Sequence, residues 1–196
     1  MTEYHCISMD PPWPESGGGK IKRGADRHYA LLKVKDIPQV IYDCPLWRPA
    51  KDCHLWIWAT NNHLPAGLWL MTMLGFRYIT NIAWVKGEVL QDGMYYKLDR
   101  PGLGQYTMGQ HELLLFGSRG KTMKPAEIDR PRTVIIAPRR AHSQKPEEAY
   151  QLIEKVSPGP RLELFARAQR ENWNVWGDEV IDASNENHSS GRQCIP

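Results

Sequence analysis

Tyr4-His5-Cys6-Ile7-Ser8-Met9-Asp10-Pro11-Pro12-Trp13 is the stretch on which the reading of this 196-residue chain turns. Tyr4 to Met9 predicts a short strand. It runs directly into two prolines, which fix φ and lack the N–H that a ladder or a helix interior needs, so a rigid loop leaves the strand at Asp10. In open α/β sheets ligands gather at the carboxyl ends of strands, which is where this acidic side chain stands.

Working outward, strand and helix signals alternate. His54 to Ala59 predicts a second buried strand, ended by Thr60-Asn61-Asn62. Between His63 and Leu74, Leu64, Leu68 and Met71 recur at helical spacing, and Gly75 supplies a stop. Tyr78 to Lys86, His111 to Gly117 and Thr133 to Ala137 predict three further strands. Gly87 to Gln110, which carries Gly87, Gly93, Gly102, Gly104 and Gly109, reads as a long functional loop. Pro146 to Val156, with Ala149, Leu152, Ile153 and Val156 on one face, predicts an amphipathic helix closed by Ser157-Pro158-Gly159. Leu162 to Phe165 and Trp173 to Trp176 predict the last strands. This alternation argues for an α/β sheet. The length and a hydrophobic content of 41% suit one catalytic-sized domain, expected over residues 1–182, with a polar, disordered tail over 183–196.

Several function classes drop out. The apolar runs are far too short to span a bilayer and the N-terminus has no basic-then-apolar leader, so a cytoplasmic protein without membrane association is expected. Cys6, Cys44, Cys53 and Cys194 form no Cys-x-x-Cys pair and have no histidines at zinc-finger spacing, so no metal is expected. Gly120-Lys121-Thr122 resembles the end of a phosphate loop, but Leu115 stands where its first glycine belongs, and no G-x-G-x-x-G occurs. The net charge of +3 is only mildly basic. Cations nonetheless cluster in Gly- and Pro-rich stretches: Lys20, Lys22, Arg23 and Arg27; Arg119, Lys121 and Lys124; Arg130, Arg132, Arg139 and Arg140. Each cluster is compatible with a solvated loop or with phosphate contact.

The chemistry of Asp10-Pro11-Pro12-Trp13 is more specific. An amine conjugated to a heteroaromatic ring delocalises its lone pair, and acceptors facing its two N–H bonds make it more electron-rich. Asp10 offers a carboxylate oxygen and Pro11 a backbone carbonyl for this purpose. That is preorganisation and positioning rather than covalent catalysis. Trp13 offers a flat apolar face on which a base could stack, a contact worth roughly 1–3 kcal/mol. The same four residues also suit an ordinary strand-to-loop turn around a buried tryptophan.

Nearly the whole chain resembles the MT-A family of adenine methyltransferases, which has bacterial and phage members and includes the catalytic subunit of the eukaryotic messenger-RNA adenosine methyltransferase. The resemblance rests on an ordered set: Asp10-Pro11-Pro12-Trp13, Arg27-His28-Tyr29, Leu55-Trp56-Ile57-Trp58-Ala59-Thr60-Asn61, Gly75-Phe76-Arg77-Tyr78, Trp84-Val85-Lys86, His111-Glu112-Leu113-Leu114-Leu115-Phe116-Gly117, Ala137-Pro138-Arg139-Arg140, His142-Ser143-Gln144-Lys145-Pro146, Ser157-Pro158-Gly159, Glu163-Leu164-Phe165-Ala166-Arg167 and Trp176-Gly177-Asp178-Glu179. It implies a Rossmann-like class I methyltransferase sheet with helices on both faces, in permuted order, the catalytic strand first and the cofactor-binding strand near the C-terminus. It implies methylation of the N(6) amine of adenine with S-adenosylmethionine as cofactor. Asp10 would meet the cofactor's amino group and Lys145 its carboxylate; Phe165 and Arg167 would line the pocket, and Asp178 and Glu179 would bond the ribose or adenosine edge. Lys20, Lys22, Arg23, Arg27, His28, Tyr29, Arg139 and Arg140 would meet nucleic acid. The chain departs from the family at Asp178, where asparagine is common, and in Ala168-Gln169-Arg170. Resemblance to compact bacterial and phage members favours DNA. An RNA methyltransferase, or a catalytically inactive nucleic-acid-binding partner subunit of the same fold, are the alternatives, and assembly as a homodimer or with a partner subunit is compatible with each.

Overall fold

The computed structural model describes residues 1–14, 32–91, 93, 96–102, 106–122, 124–140, 144–177 and 180. β1 (Tyr4–Met9) coincides with the predicted strand. Its side chains divide between two apolar clusters, Ile7 and Met9 in one and Cys6 in the other. β2 (Pro49–Ala59) does the same, with Leu55, Ile57 and Ala59 on one face and Trp56 and Trp58 on the other. Side chains alternate along a strand, so strands covered on both faces read as unbroken apolar runs. α1 (Ile37–Asp43) and α2 (Leu64–Met73) cover the first face through Ile37, Ile41, Leu70 and Met71. α3 (Glu147–Val156) covers the second through Ala149, Leu152 and Ile153.

The remaining strands are β3 (Arg77–Val89), β4 (Tyr96–Leu98), β5 (His111–Arg119), β6 (Val134–Ala137), β7 (Arg161–Leu164) and β8 (Trp173–Trp176). The sheet order is β4-β3-β5-β2-β1-β7-β8, with β6 also paired to β3. β1, β2, β7 and β8 are mutually parallel. β5 runs antiparallel to both β2 and β3, and β6 runs parallel to β3. The carboxyl ends of β1, β2, β3, β6, β7 and β8 therefore meet the start of β5 along one edge of the sheet, with Asp10 at its middle.

The expected α/β architecture with helices on both faces is present, with two local corrections. The segment expected to be a loop between Gly87 and Gln110 contains β4, which pairs Leu98 with Gly87 at the end of β3, and a further bridge joins Gly102 to Gly109. α1 was not foreseen; it is only seven residues long and opens on Ile37-Pro38, where proline's missing N–H is no loss in the first turn. Cys6, Cys44 and Cys53 are buried free thiols. Burial pushes Cys6 and Cys53 up to about 12, far from a reactive thiolate. Cys194 and the expected tail lie outside the described residues. No described helix is long and apolar enough to cross a membrane.

Candidate active site at the end of the first strand

The loop after β1 is pinned from three sides. The Trp13 N–H donates to the Pro11 carbonyl at 2.7 Å, closing a three-residue turn. A carbonyl has two lone pairs, so this turn orients the Pro11 oxygen without exhausting it. The Trp13 ring N–H donates to the Trp58 carbonyl at 2.8 Å, and its ring stacks on His63, centroids 5.5 Å apart and 13° from parallel. His63 Nε2 lies 2.8 Å from the Pro14 carbonyl and donates to it, while Nδ1 is hydrogen-bonded to the Thr60 hydroxyl, also at 2.8 Å. Trp13 is only 8% exposed. The ring expected to offer a face to a base has His63 stacked on it, and in this structure it holds the loop against β2.

Asp10 lies within a chain of opposite charges. Lys145 Nζ is 3.1 Å from Asp10 Oδ2 and 2.8 Å from Glu112 Oε2, and Lys86 donates to Glu112 Oε1 at 2.5 Å. Three strands and one helix start deliver the members to the shared edge: Asp10 follows β1, Lys86 is near the end of β3, Glu112 is the second residue of β5 and Lys145 stands just before α3. Lys145 sits 5.0 Å over the ring of Trp58, and Lys86 5.0 Å over that of Trp84. The two tryptophans meet edge to face at 6.0 Å, and the Trp84 ring N–H is anchored on the Ala137 carbonyl at 2.8 Å. For Lys145, the aromatic face and the carboxylates together compensate an ammonium that burial would otherwise discharge.

The two carboxyls are driven apart. Burial pushes Asp10 above the usual carboxylate range, opposed by the Lys145 ammonium and reinforced by the neighbouring charge of Glu112. Burial would push Glu112 upward too, but Lys145 and Lys86 together outweigh it and hold that carboxyl down at about 2. Lys145 is held above its ordinary value, since Asp10 and Glu112 overcome its desolvation. Glu112 is consequently a fixed anion that positions Lys145, while Asp10 retains the more basic oxygen. A pair of titratable groups separated in this way marks distinct acid–base roles.

The ends of β7 and β8 complete the edge. Phe165 occupies the left-handed region at φ 59, a strained conformation for a residue with a side chain, and its ring packs edge-on against Trp176 at 5.8 Å. The Ala166 N–H donates to the Trp176 carbonyl at 3.0 Å, and Gly177 passes so close that a Cβ there would collide with the Ala166 backbone. Arg167 is near enough for its charge to stabilise the Asp10 carboxylate. Behind it, the Tyr150 hydroxyl donates to half-buried Glu163 at 2.7 Å, and Arg170 lies 3.5 Å over the Tyr150 ring while binding both oxygens of Glu147.

The structure thus brings Asp10, Pro11, Pro12, Trp13, Lys145, Phe165 and Arg167 to one edge. Arg139 and Arg140 follow β6 there, exposed, with the Arg139 N–H donating to Asp99 Oδ2 at 2.9 Å. Lys20, Lys22, Arg23, Arg27, His28, Tyr29, Asp178 and Glu179 lie outside the described residues. Glu112, Lys86 and Trp58 were not foreseen as site residues. Their signal was positional, a charged residue at the edge-side end of β5, another at that of β3, and a tryptophan on β2.

A model of the MT-A70 family matches residues 4–179. The chain is 29% identical over 200 residues to the "Type II methyltransferase M.MunI" of a Mycoplasma species, covering 92% of this chain and 79% of that protein. It is 33% identical over 184 residues to the "Probable N(6)-adenosine-methyltransferase MT-A70-like" of Oryza sativa subsp. japonica, and 31% identical over 190 residues to the "N(6)-adenosine-methyltransferase catalytic subunit METTL3" of Homo sapiens. These alignments cover 92% of this chain but only 23% and 29% of the rice and human proteins. The family match runs from the strand carrying Asp10 through the ends of β7 and β8, and the chain belongs to the MT-A70 family.

Proposed function

We propose that this protein transfers a methyl group from S-adenosylmethionine to the exocyclic N(6) amine of adenine in nucleic acid, with DNA favoured over RNA. The observation that carries the reading is the Asp10–Lys145–Glu112–Lys86 chain of charges at the exit of β1. The donor set fits the cofactor: its amino-acid end bears an ammonium and a carboxylate, and Asp10 and Lys145 offer the complementary pair. Phe165 and Arg167 supply an apolar wall and a cation beside Asp10. When bound, S-adenosylmethionine supplies an electrophilic methyl carbon.

The chain's own residues then orient the nucleophile. Asp10 Oδ accepts one N–H of the target amine and the Pro11 carbonyl, through its second lone pair, accepts the other. Because burial raises its basicity, the Asp10 carboxyl gains most from the proton-rich amine that forms as nitrogen attacks. Glu112 stays ionised and fixes Lys145. Trp13 holds the loop. β7 and β8 would form the cofactor-binding half of a permuted sheet, within one catalytic domain of residues 1–182.

Arg139 and Arg140 are suitably exposed for phosphate contact, and Lys20, Lys22, Arg23 and Arg27 would extend that surface in a cytoplasmic enzyme of bacterial or phage type. The human relative's name favours RNA as the second reading. Incubation with labelled S-adenosylmethionine and matched single-stranded DNA, duplex DNA and RNA, followed by nucleoside analysis, tests this. N(6)-methyladenine from DNA is expected; label in RNA alone selects the second reading, and label in no adenine rejects both.

A further inference from the structure

The sheet edge opposite Asp10 has its own cavity. The crossover from β5 to β6 arches over the face occupied by Trp56, Ile82 and Phe116, enclosing about 430 Å³, within the range of about 300–1,000 Å³ typical of small-ligand sites. Along β5 its residues Phe116 and Ser118 lie four and six positions from Glu112, about 13–20 Å at the rise of a strand, so it is separate from the proposed catalytic edge.

The floor is aromatic and polar-satisfied. Phe116 stacks on Trp56 with centroids 4.3 Å apart at 29°, and meets His54 edge-on at 5.0 Å. The Trp56 ring N–H donates to Ser157 Oγ at 2.9 Å, and His54 Nδ1 lies 2.9 Å from the same oxygen. The rim is the reverse. Arg77, Lys121, Lys124 and Arg130 line the cavity, no carboxylate among the described residues does, and none of these four side chains enters an ion pair with a described residue. Asp129, on the same crossover, faces Lys155 instead, at 3.7 Å. The crossover is held at its start, where Gly120 adopts φ +70 and the Lys121 N–H donates to Asp52 Oδ1 at 2.7 Å.

We infer that this cavity is a second nucleotide-binding site, in which a base lies against the Phe116–Trp56 stack and its phosphate meets the cationic rim. Four like charges gathered around an apolar floor repel one another until an anion arrives, and stacking on an aromatic face accepts any base. The occupant is a free mononucleotide or one nucleotide of a bound strand; the chemistry is the same.

CMP and a fluorescent oligo-dC 12-mer are the probes, chosen because cytosine has no claim on an adenine site. Binding is measured by calorimetry and anisotropy for wild type and for Arg77→Glu with Lys121→Glu, both exposed, with S-adenosylmethionine affinity and thermal midpoint followed in parallel. Wild type is expected to bind CMP more tightly than cytidine or inorganic phosphate, and the double variant to bind it at least tenfold more weakly with cofactor affinity unchanged. A tenfold loss for the 12-mer instead, with no CMP binding in wild type, identifies a strand as the source. Lys121→Ala with Lys124→Ala, which removes charge without reversing it, is expected to lose affinity in the same direction and serves if the first variant does not fold. If neither probe binds wild type, or the variants bind both as wild type does, the inference is overturned.

Discussion

Replacing Glu112 by glutamine removes one charge from a four-member chain while keeping its shape. The carboxylate receives Lys145 at 2.8 Å and Lys86 at 2.5 Å, and its side chain is 16% exposed. The two ammoniums hold its carboxyl at about 2 instead of 4.5, a differential stabilisation of about 3 kcal/mol at 1.36 kcal/mol per unit. Removing one member of a buried pair costs about 3–5 kcal/mol in other proteins, so the two routes agree. Glu112→Gln should therefore lower the unfolding free energy at pH 7 by about 3 kcal/mol, equivalent at about 2–4 °C per kcal/mol to a midpoint lower by about 6–12 °C. The folded value lies below the unfolded one, so the stabilisation is complete above pH 4.5 and is lost as pH falls toward 2. Urea unfolding of both proteins across that window is the assay, with Lys86→Met added to complete a double-mutant cycle. A gap between wild type and variant that stays constant from pH 7 to pH 3, or strict additivity with Lys86→Met, would refute the assignment of Glu112 as the paired anion of this site.

Lys145→Ala should raise the S-adenosylmethionine dissociation constant about ten- to a hundredfold, the loss expected of one charge-assisted hydrogen bond; an unchanged constant by calorimetry would remove Lys145 from the cofactor site. His54 carries a separate pH signature: burial pushes it down from 6.5 to about 4, so the unfolded chain gains a proton before the folded one does. Stability should fall by up to about 3 kcal/mol as pH drops through that interval, and a His54→Asn variant with an equally steep decline would contradict this. Gly177→Ala drives a Cβ into the Ala166 backbone, so cofactor affinity should drop at least tenfold with the sheet intact by circular dichroism; wild-type affinity would show that the Phe165–Arg170 segment is not part of the pocket.

The central strands of this fold were legible because β2 and β5 are covered on both faces and carry unbroken apolar runs, as at Leu55 to Ala59. β4 was not, since its three residues are all exposed and their pairing depends on the end of β3 rather than on any local pattern. α1 escaped for a similar reason: seven residues opening on Ile37-Pro38 give too few helical repeats to count. At the site, Asp10 could be read because two prolines announce the loop. Glu112 and Lys86 could not be assigned, because a carboxylate and an ammonium on separate strands become partners only when the β3–β5 register sets Trp84 beside Glu112. Trp13 shows the opposite limit. Its identity suggested stacking, and only the placement of His63 and the Trp58 carbonyl reveals that its ring is engaged by the protein itself.

The central claim is that Asp10 orients an adenine amine for methyl transfer. Its most direct test is the rate of N(6)-methyladenine formation in single-stranded DNA by wild type, Asp10→Asn and Asp10→Ala at saturating S-adenosylmethionine, with folding checked by the thermal midpoint. Loss of a preorganised acceptor costs about 10²–10³ in turnover, so Asp10→Ala should retain less than about a hundredth of wild-type rate, with Asp10→Asn less impaired because an amide oxygen can still accept. Turnover by folded Asp10→Ala within a few-fold of wild type would contradict the account.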